Sequence, residues 1–305
     1  MKIFSRIKND DSREIKFLGV TLFKYKKNFN NLFLSQIYRY QFDITTVPPA
    51  MGILRDIQLA GLIILKEVDR VCKKHNITYW ADFGALLGAF RHKGFIPWDD
   101  DVDIAMLRDD YERFVGLFNA EAKSDFYAEF FYSSTCNIIK IRHQKINFIS
   151  VDIFVHDLYH SKINSADERC ALTKKIQKIQ NTVYLPQSKR LSNDKIYELL
   201  RQLDKKMVME GKVGNPADHP DIYLGLDSAS MTSASIFYGY DDIFPLKTMK
   251  YEDMEIPVPN NPDRVLTYMY RDYMAYPSRL TPIHLTVSKL SLQDIEDLKD
   301  FVAQG

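Results

Sequence analysis

The architecture of this chain follows from residues 77–106, ITYWADFGALLGAFRHKGFIPWDDDVDIAM. This segment predicts a strand, a helix that opens at Gly84, a proline turn and a second strand that carries carboxylates. Successive side chains of a strand point to opposite faces, so Asp101 and Asp103 share a face, with their Cα atoms roughly 6.5 Å apart. Asp99 lies on the same face only if the extended conformation begins at or before position 99.

Two carboxylates on one face of a strand repel each other. At about 5 Å and an effective dielectric constant of about 20, the repulsion is on the order of 3 kcal/mol. A strand that enters a core therefore needs a proton or a cation there, and paired oxygen ligands favour Mg²⁺ or Mn²⁺. A solvated acidic turn is the alternative. An EF-hand loop is excluded, because Ile104 and Asp110 stand where that loop requires glycine and glutamate.

A lone acid, Asp152, lies in the apolar run FISVDIFV, residues 148–155. An isolated carboxylate inside a segment with strong β propensity needs a partner. A neighbouring strand would place Asp152 beside Asp101 and Asp103, which predicts a three-carboxylate metal site. The alternative is an exposed aspartate on an edge strand.

The composition narrows the class of protein. The 305 residues suit one large domain or two modest ones, and 41 basic residues almost balance 40 acidic ones. This balance gives no support for a nucleic-acid partner. The three cysteines lack C-x-x-C spacing, so we expect free thiols rather than disulfides or a zinc ribbon. The charged start and the lack of a long apolar run predict a cytoplasmic protein without a secretory signal or transmembrane helix.

The N-terminal segment is basic and aromatic. Residues 15–27 predict two short strands about Gly19, and the basic character continues to Tyr40. This segment is either an accessory hairpin or a peripheral contact with the inner face of an anionic membrane. Two consecutive prolines at 48 and 49 then predict a domain boundary.

Hydrophobic periodicity places the other elements. Helices are expected at 53–75, 109–117, 165–183, 193–210, 261–272 and 292–303, and strands at 77–81, 126–132, 137–142, 222–226, 236–238 and 254–258.

The helix that opens at Gly84 offers unpaired backbone N–H groups and a positive dipole end, which together suit a phosphate. The alternative meaning of the GALLG motif is close helix packing. Arg91 and Lys93 follow this helix and are candidates to hold phosphates, in the case of arginine by two parallel hydrogen bonds. A solvated basic turn is the alternative for both residues.

The block YWADFGALLGAFRHKGFIPWDDDVDIAM resembles the LicD/fukutin family of phosphotransferases. The resemblance continues at VDIFVHDL, DIFPLKTMKYEDMEIPVPNNPDRVL and YMYRDYMAYPSR, so it covers most of residues 51–279. It implies an α/β (α+β) fold, in which a nucleotidyltransferase-like core has a mixed β-sheet that carries the metal carboxylates and is flanked by helices. The implied division is 1–47 accessory segment, 48–160 catalytic core and 161–305 helical, acceptor-side region.

The resemblance also implies an activity. Such enzymes transfer phosphocholine, ribitol phosphate or a similar group from a CDP-linked donor to the hydroxyl of a saccharide or glycolipid, with Mg²⁺ or Mn²⁺, in the synthesis of lipopolysaccharide, capsule or teichoic acid. Two alternatives remain open. One is a nucleotidyltransferase that makes an activated sugar or small molecule, and the other is a non-catalytic protein that binds nucleotide or glycan.

By the resemblance, Asp101 and Asp103 are the metal-binding D-x-D motif, Asp152 is the third metal-binding and catalytic carboxylate, and Asp99 is a supporting acid. Asp152 would also accept the proton of the acceptor hydroxyl.

Two positions depart from the family pattern. Gly84 and Ala85 match the donor-phosphate signature, but alanine stands where serine or threonine is usual, so backbone N–H groups or Arg91 would replace the hydroxyl. Arg271 replaces a glycine on the acceptor side. Neither departure affects the acids, and we therefore predict an active enzyme.

Overall fold

The computed structural model describes residues 4–8, 12–17, 20–26, 43–132, 137–159, 162–163, 165, 167–174, 195, 198, 202, 216–225, 237–277 and 289–305. The chain forms two compact units, Met1–Val47 with Met274–Leu280 and Pro48–Tyr273 with Thr281–Gly305. The division at 47/48 and 160/161 into accessory, catalytic and acceptor-side parts stays a prediction.

The first unit contains a three-stranded antiparallel sheet of β1 (Phe4–Lys8), β2 (Ser12–Phe17) and β3 (Val20–Lys26), in that order. The predicted hairpin about Gly19 is the β2–β3 pair. Strand β1 was not expected, because its sequence FSRIK has two basic residues among five and no clear apolar alternation.

The second unit begins with the long helix α1 (Ile53–His75), as predicted from its apolar spacing. Asn76 ends it in the left-handed conformation, with φ of 51°, and donates its N–H to the carbonyl of Cys72. Asparagine tolerates this conformation better than most residues, which explains why the helix stops there.

A seven-stranded mixed sheet is the centre of this unit. Its main path runs β10-β9-β8-β5-β4, and a β6–β7 hairpin also pairs with β8. The strands are β4 (Trp80–Ala81), β5 (Val102–Leu107), β6 (Phe126–Tyr132), β7 (Asn137–His143), β8 (Val151–Leu158), β9 (Ile222–Leu224) and β10 (Phe237–Tyr238). The β5–β8 pairing is parallel and the others are antiparallel. The predicted mixed sheet is confirmed.

Helices and one hairpin complete this unit. They are α2 (Phe83–His92), α3 (Arg108–Glu121), α4 (Tyr240–Ile243), β11 (Lys247–Tyr251), β12 (Met254–Val258), α5 (Pro262–Tyr270) and α6 (Leu292–Gln304). Helix α3 is longer than predicted. Helix α5 is shorter, because Asn261 is its N-cap and Arg271 leaves helical geometry. Among the helices of the described part of the chain, none is long and apolar enough to cross a bilayer.

The expected helices at 165–183 and 193–210 are only partly covered by the structure. Residues 167–174, 195, 198 and 202 are helical, and Ser165 accepts the N–H of Glu168 at 3.1 Å as predicted for an N-cap. All other positions of the two predicted helices lie outside the described residues.

Strand β8 lies in the interior of the sheet, and residues 151–157 are all buried. A strand with a parallel neighbour is commonly covered on both faces and is therefore almost entirely apolar. Three polar residues of β8 depart from this rule, and each has a charged partner: Asp152 with Lys140, His156 with Asp82, and Asp157 with Arg108.

Candidate active site

The β5–β8 pairing brings the predicted acids together. Asp103 is directly opposite Asp152 in the parallel register, and in-register side chains of neighbouring strands point to the same face. Asp152 is only 8% exposed and lies on an interior strand, so the alternative of an exposed aspartate on an edge strand is wrong.

The electrostatics of Asp103 reflect this convergence. Burial raises the pKa of Asp103 well above its usual range, and the negative charges of Asp101, Asp152, Asp99 and Asp82 raise it further. The neighbouring negative charges favour the uncharged form of the Asp103 carboxyl, although Asp99, Asp101 and Asp103 are each partly exposed. The pocket therefore holds more negative charge than its surroundings neutralise, and a cation would relieve the repulsion.

A tight group of carboxylates lies just before β5. One oxygen from each of Asp99, Asp100 and Asp101 lies within 4.8 Å of the others, and Asp100 is buried. Strand β5 begins only at Val102, so neither Asp99 nor Asp101 lies within the strand whose alternation predicts a shared face with Asp103.

Helix α2 begins against these acids. Its N-cap is Asp82, which accepts the N–H of Phe83 at 3.0 Å, so the helix opens one residue earlier than predicted. A Cβ atom added at Gly84 would lie 2.6 Å from a carboxylate oxygen of Asp99 and 3.9 Å from one of Asp103. The positive end of the helix and the acids thus lie in direct contact, while Ala85 is buried.

We predict that Gly84→Ala lowers the free energy of unfolding by about 1–3 kcal/mol, because the added methyl group overpacks the Asp99 carboxylate. Gly116→Ala is the matched control: Gly116 also lies within a helix, and a Cβ atom added there would have no described atom within 4 Å. Alanine at position 116 should therefore stabilise the protein by about 0.5–1 kcal/mol. Denaturant unfolding of the two variants measures both effects. A Gly84→Ala protein as stable as wild type would contradict the close contact.

A buried pair, Asp82 and His156, fixes the start of α2, because Asp82 is the N-cap of this helix. His156 Nε2 donates to Asp82 Oδ2 at 2.8 Å, and both residues are 1% exposed. The backbone N–H of Asp82 donates to the carbonyl of Asp103 at 3.0 Å. Sequence reasoning missed this pair, although an aspartate directly before a helix is a common N-cap signal.

A second buried contact holds Asp152. Lys140 Nζ, from β7, lies 2.7 and 2.5 Å from the two carboxylate oxygens, and the Ser150 hydroxyl donates to one of them at 2.6 Å. Sequence reasoning missed Lys140 as well. A usable signal was present, since Lys140 interrupts the apolar strand NIIKI as Asp152 interrupts its own strand.

The predicted phosphate-binding cations lie at the other end of α2. Arg91 is buried, donates to the carbonyl of Tyr273 and to His92, and its guanidinium lies 5.7 Å from the centre of the Trp98 ring. Lys93 is exposed and ends the helix. Arg91 lies seven positions after Gly84 in the helix, about 10 Å along the axis. The phosphate-binding role of Arg91 and Lys93 stays a prediction.

The end of α5 lies near the acids, as the pKa of Tyr270 indicates. Although Tyr270 is 40% exposed, burial of its hydroxyl raises its pKa, and the charges of Asp103, Asp82 and Asp99 add to the effect. Sequence reasoning did not select this tyrosine. The next residue, Arg271, has φ of 60°, a backbone conformation that favours glycine.

Comparison with known proteins is consistent with this geometry. Residues 76–194 match the family described as LicD/FKTN/FKRP, nucleotidyltransferase domain. Over 252 residues the chain is 29% identical to the lipopolysaccharide cholinephosphotransferase LicD of Haemophilus influenzae. The aligned region covers 73% of this chain and 92% of that protein.

Two further relatives match shorter segments. An uncharacterized protein of Rickettsia prowazekii is 34% identical over 102 residues, 32% of this chain and 38% of its own length. The human ribitol 5-phosphate transferase FKRP is 43% identical over 54 residues, 18% of this chain and 11% of its own length.

Proposed function

Because the chain belongs to the LicD family and is a LicD-type phosphotransferase, we propose that it transfers phosphocholine, ribitol phosphate or a similar group from a CDP-linked donor to a hydroxyl of a saccharide or glycolipid. The observation that carries the proposal is the match to a lipopolysaccharide cholinephosphotransferase along 92% of that protein's length. The name of the human relative, a ribitol 5-phosphate transferase, also describes transfer of a substituted phosphate. The acceptor we propose is a lipopolysaccharide or another surface glycan.

We further propose that Asp101, Asp103 and Asp152 hold Mg²⁺ or Mn²⁺, with Asp99 in support. Carboxylate oxygens suit these hard cations, and the raised pKa of Asp103 fits a site in which several carboxylates lie close together. When bound, the cation would neutralise negative charge on the transferring phosphate.

The remaining work in phosphoryl transfer is mainly positioning, and the chain supplies groups for it. We propose that the N–H groups at the start of α2 donate hydrogen bonds to the phosphates of the CDP-linked substrate. Gly84 has no side chain that would keep these phosphates away from the acids. Ala85 offers no hydroxyl, so this contact depends on the backbone. Asp152 is proposed to accept the proton of the attacking hydroxyl.

The direct test is to incubate the protein with CDP-choline or CDP-ribitol, Mg²⁺ and lipopolysaccharide. The proposal expects release of CMP that depends on the acceptor, together with a covalent phosphodiester on the glycan detected by mass spectrometry. Pyrophosphate release from CTP and a phosphorylated small molecule would instead indicate a nucleotidyltransferase. Binding of the CDP donor without turnover, for every acceptor, would indicate a non-catalytic protein.

We predict that CDP binds only with Mg²⁺ or Mn²⁺ present, and more tightly than UDP or GDP. If Arg91 contributes a charge-assisted contact to a phosphate, Arg91→Ala should weaken CDP binding by about 1.5–3 kcal/mol. Calorimetry with the three nucleotides, with and without metal, measures this. Arg113→Ala, which removes an ion pair to Asp110 on the surface, is the control. Equal binding of the three nucleotides would contradict the assignment of a cytidine donor. CDP binding without metal would contradict the proposed metal site.

A further inference from the structure

Lys140 makes more contacts beside the carboxylates Asp152 and Asp103 than a surface lysine would make. Its ammonium contacts both oxygens of Asp152, at 2.7 and 2.5 Å, and the Ser150 hydroxyl at 3.2 Å. It also lies 4.9 Å from the centre of the Phe131 ring, a distance at which a cation is attracted by the aromatic face. The side chains of Lys140 and Asp152 are only 14% and 11% exposed.

The register of the sheet explains why this lysine reaches the site. Lys140 on β7 is opposite Asp152 on β8, and Asp152 is opposite Asp103 on β5. Side chains in register on adjacent strands share one face. The structure therefore arranges two carboxylates and one ammonium in a row across three strands.

We infer that Lys140 is a built-in counter-ion that competes with the divalent cation for Asp152. This inference rests on the proposed function, because it concerns the same metal site. While Lys140 occupies both oxygens of Asp152, that carboxylate is already neutralised, and a cation gains the full charge of Asp152 only by weakening the Lys140 contact. Asp103, Asp101 and Asp99 are thus the main source of attraction for the metal, and Lys140 lowers the site's affinity for it.

The expected size of the effect follows from Coulomb's law. Repulsion between a unit charge and a divalent ion about 7 Å apart, even screened as in bulk water, corresponds to a change in affinity on the order of tenfold. The partly buried location of this pair reduces the screening and makes tenfold a lower estimate.

The experiment is a Mn²⁺ titration of the full chain without nucleotide, in which electron paramagnetic resonance reports the free ion. Lys140→Met should bind Mn²⁺ about tenfold more tightly than wild type, or more. Lys140→Arg, which keeps the charge, should bind Mn²⁺ like wild type. Lys66→Met removes a lysine that pairs with Asp253 at 2.7 Å on the surface, and it should leave the affinity unchanged. Unchanged or weaker Mn²⁺ binding by Lys140→Met overturns the inference.

Two further variants keep the test decisive. Lys140→Met leaves Asp152 without its cation, which can prevent folding, so Lys140→Gln serves as a second charge-removing variant whose amide still donates to the carboxylate. Lys140→Met should tighten Mn²⁺ binding less in an Asp152→Asn background than in the wild-type background, because only the through-space repulsion is then relieved and the competition for Asp152 is absent.

The result also separates this inference from the proposed function. If wild type binds no Mn²⁺, or if Asp103→Asn leaves its Mn²⁺ binding unchanged, the proposed metal site is wrong. If wild type binds Mn²⁺ through Asp103 but neither Lys140→Met nor Lys140→Gln binds it more tightly, only the role of Lys140 is wrong.

Discussion

Asp103→Asn is expected to lower turnover by about a thousandfold, equivalent to about 4 kcal/mol of transition-state stabilisation, while the fold is retained. The substitution removes a charge that the proposed metal needs and keeps the shape of the side chain. Donor turnover should fall by this factor, and Mn²⁺ binding should be lost. Asp253→Asn, at a carboxylate 66% exposed and paired only with Lys66 among its described contacts, is the control and should retain both.

The same substitution should stabilise the metal-free protein, and the gain should depend on pH. The pKa of Asp103 is raised in the folded state above its usual value of 3.8, so the folded protein binds this proton more strongly than the unfolded chain does. Below that usual value both states are protonated and no cost arises. As pH rises, the unfolded chain is favoured until the folded carboxyl also ionises.

Asparagine at position 103 does not titrate and carries no charge to repel the neighbouring acids. The difference in unfolding free energy between Asp103→Asn and wild type should therefore increase as the pH rises above 3.8, the usual pKa of the aspartate carboxyl, in the presence of a chelator. Denaturant unfolding at a series of pH values measures it. A difference that is constant with pH, or that favours wild type at about pH 8, would contradict the raised pKa and the crowding of charge that causes it.

Asp82→Ala is expected to be the most destabilising single change near the site, at about 2–4 kcal/mol. Loss of the N-cap of α2 accounts for about 1 kcal/mol, and leaving the buried His156 without its partner adds about 1–3 kcal/mol. Because α2 would then lose its fixed start beside Asp99, donor affinity should fall as well.

The matched variant is Asp82→Asn, whose side-chain oxygen can still accept the N–H of Phe83. Its amide NH2 then donates to His156 Nε2, which requires the histidine tautomer with the proton on Nδ1. It should lose less than half as much stability as Asp82→Ala. Thermal and denaturant unfolding give the comparison. If the alanine variant loses no more stability than the asparagine variant, the pair does not position the helix as its geometry indicates.

Local pattern was sufficient to predict several elements. Helix α1 has the bounds expected from its apolar spacing and from Asn76, and α6 begins after the predicted cap Ser291. The strands β6 and β12 also have the expected bounds. These elements are set by periodicity and capping, which involve residues only a few positions apart.

The site shows where local pattern stops being informative. Alternation predicts a shared strand face for Asp101 and Asp103, but Asp99–Asp101 precede β5 and bring three carboxylate oxygens together. Lys140 and His156 appeared to be ordinary residues of apolar strands. Their importance depends on which strand or helix lies beside them, and no nearby residue carries that information.

Alternation and β propensity are properties of a single segment, and they were enough to predict that Asp103 and Asp152 each lie in a strand with apolar neighbours. The parallel register of these strands, the neutralisation of Asp152 by Lys140 and the contact of Gly84 with Asp99 became evident only from the fold. Charge interactions and close packing depend on distance in space, and these partners are 12 to 49 residues apart in the chain, as positions 140–152 and 103–152 show.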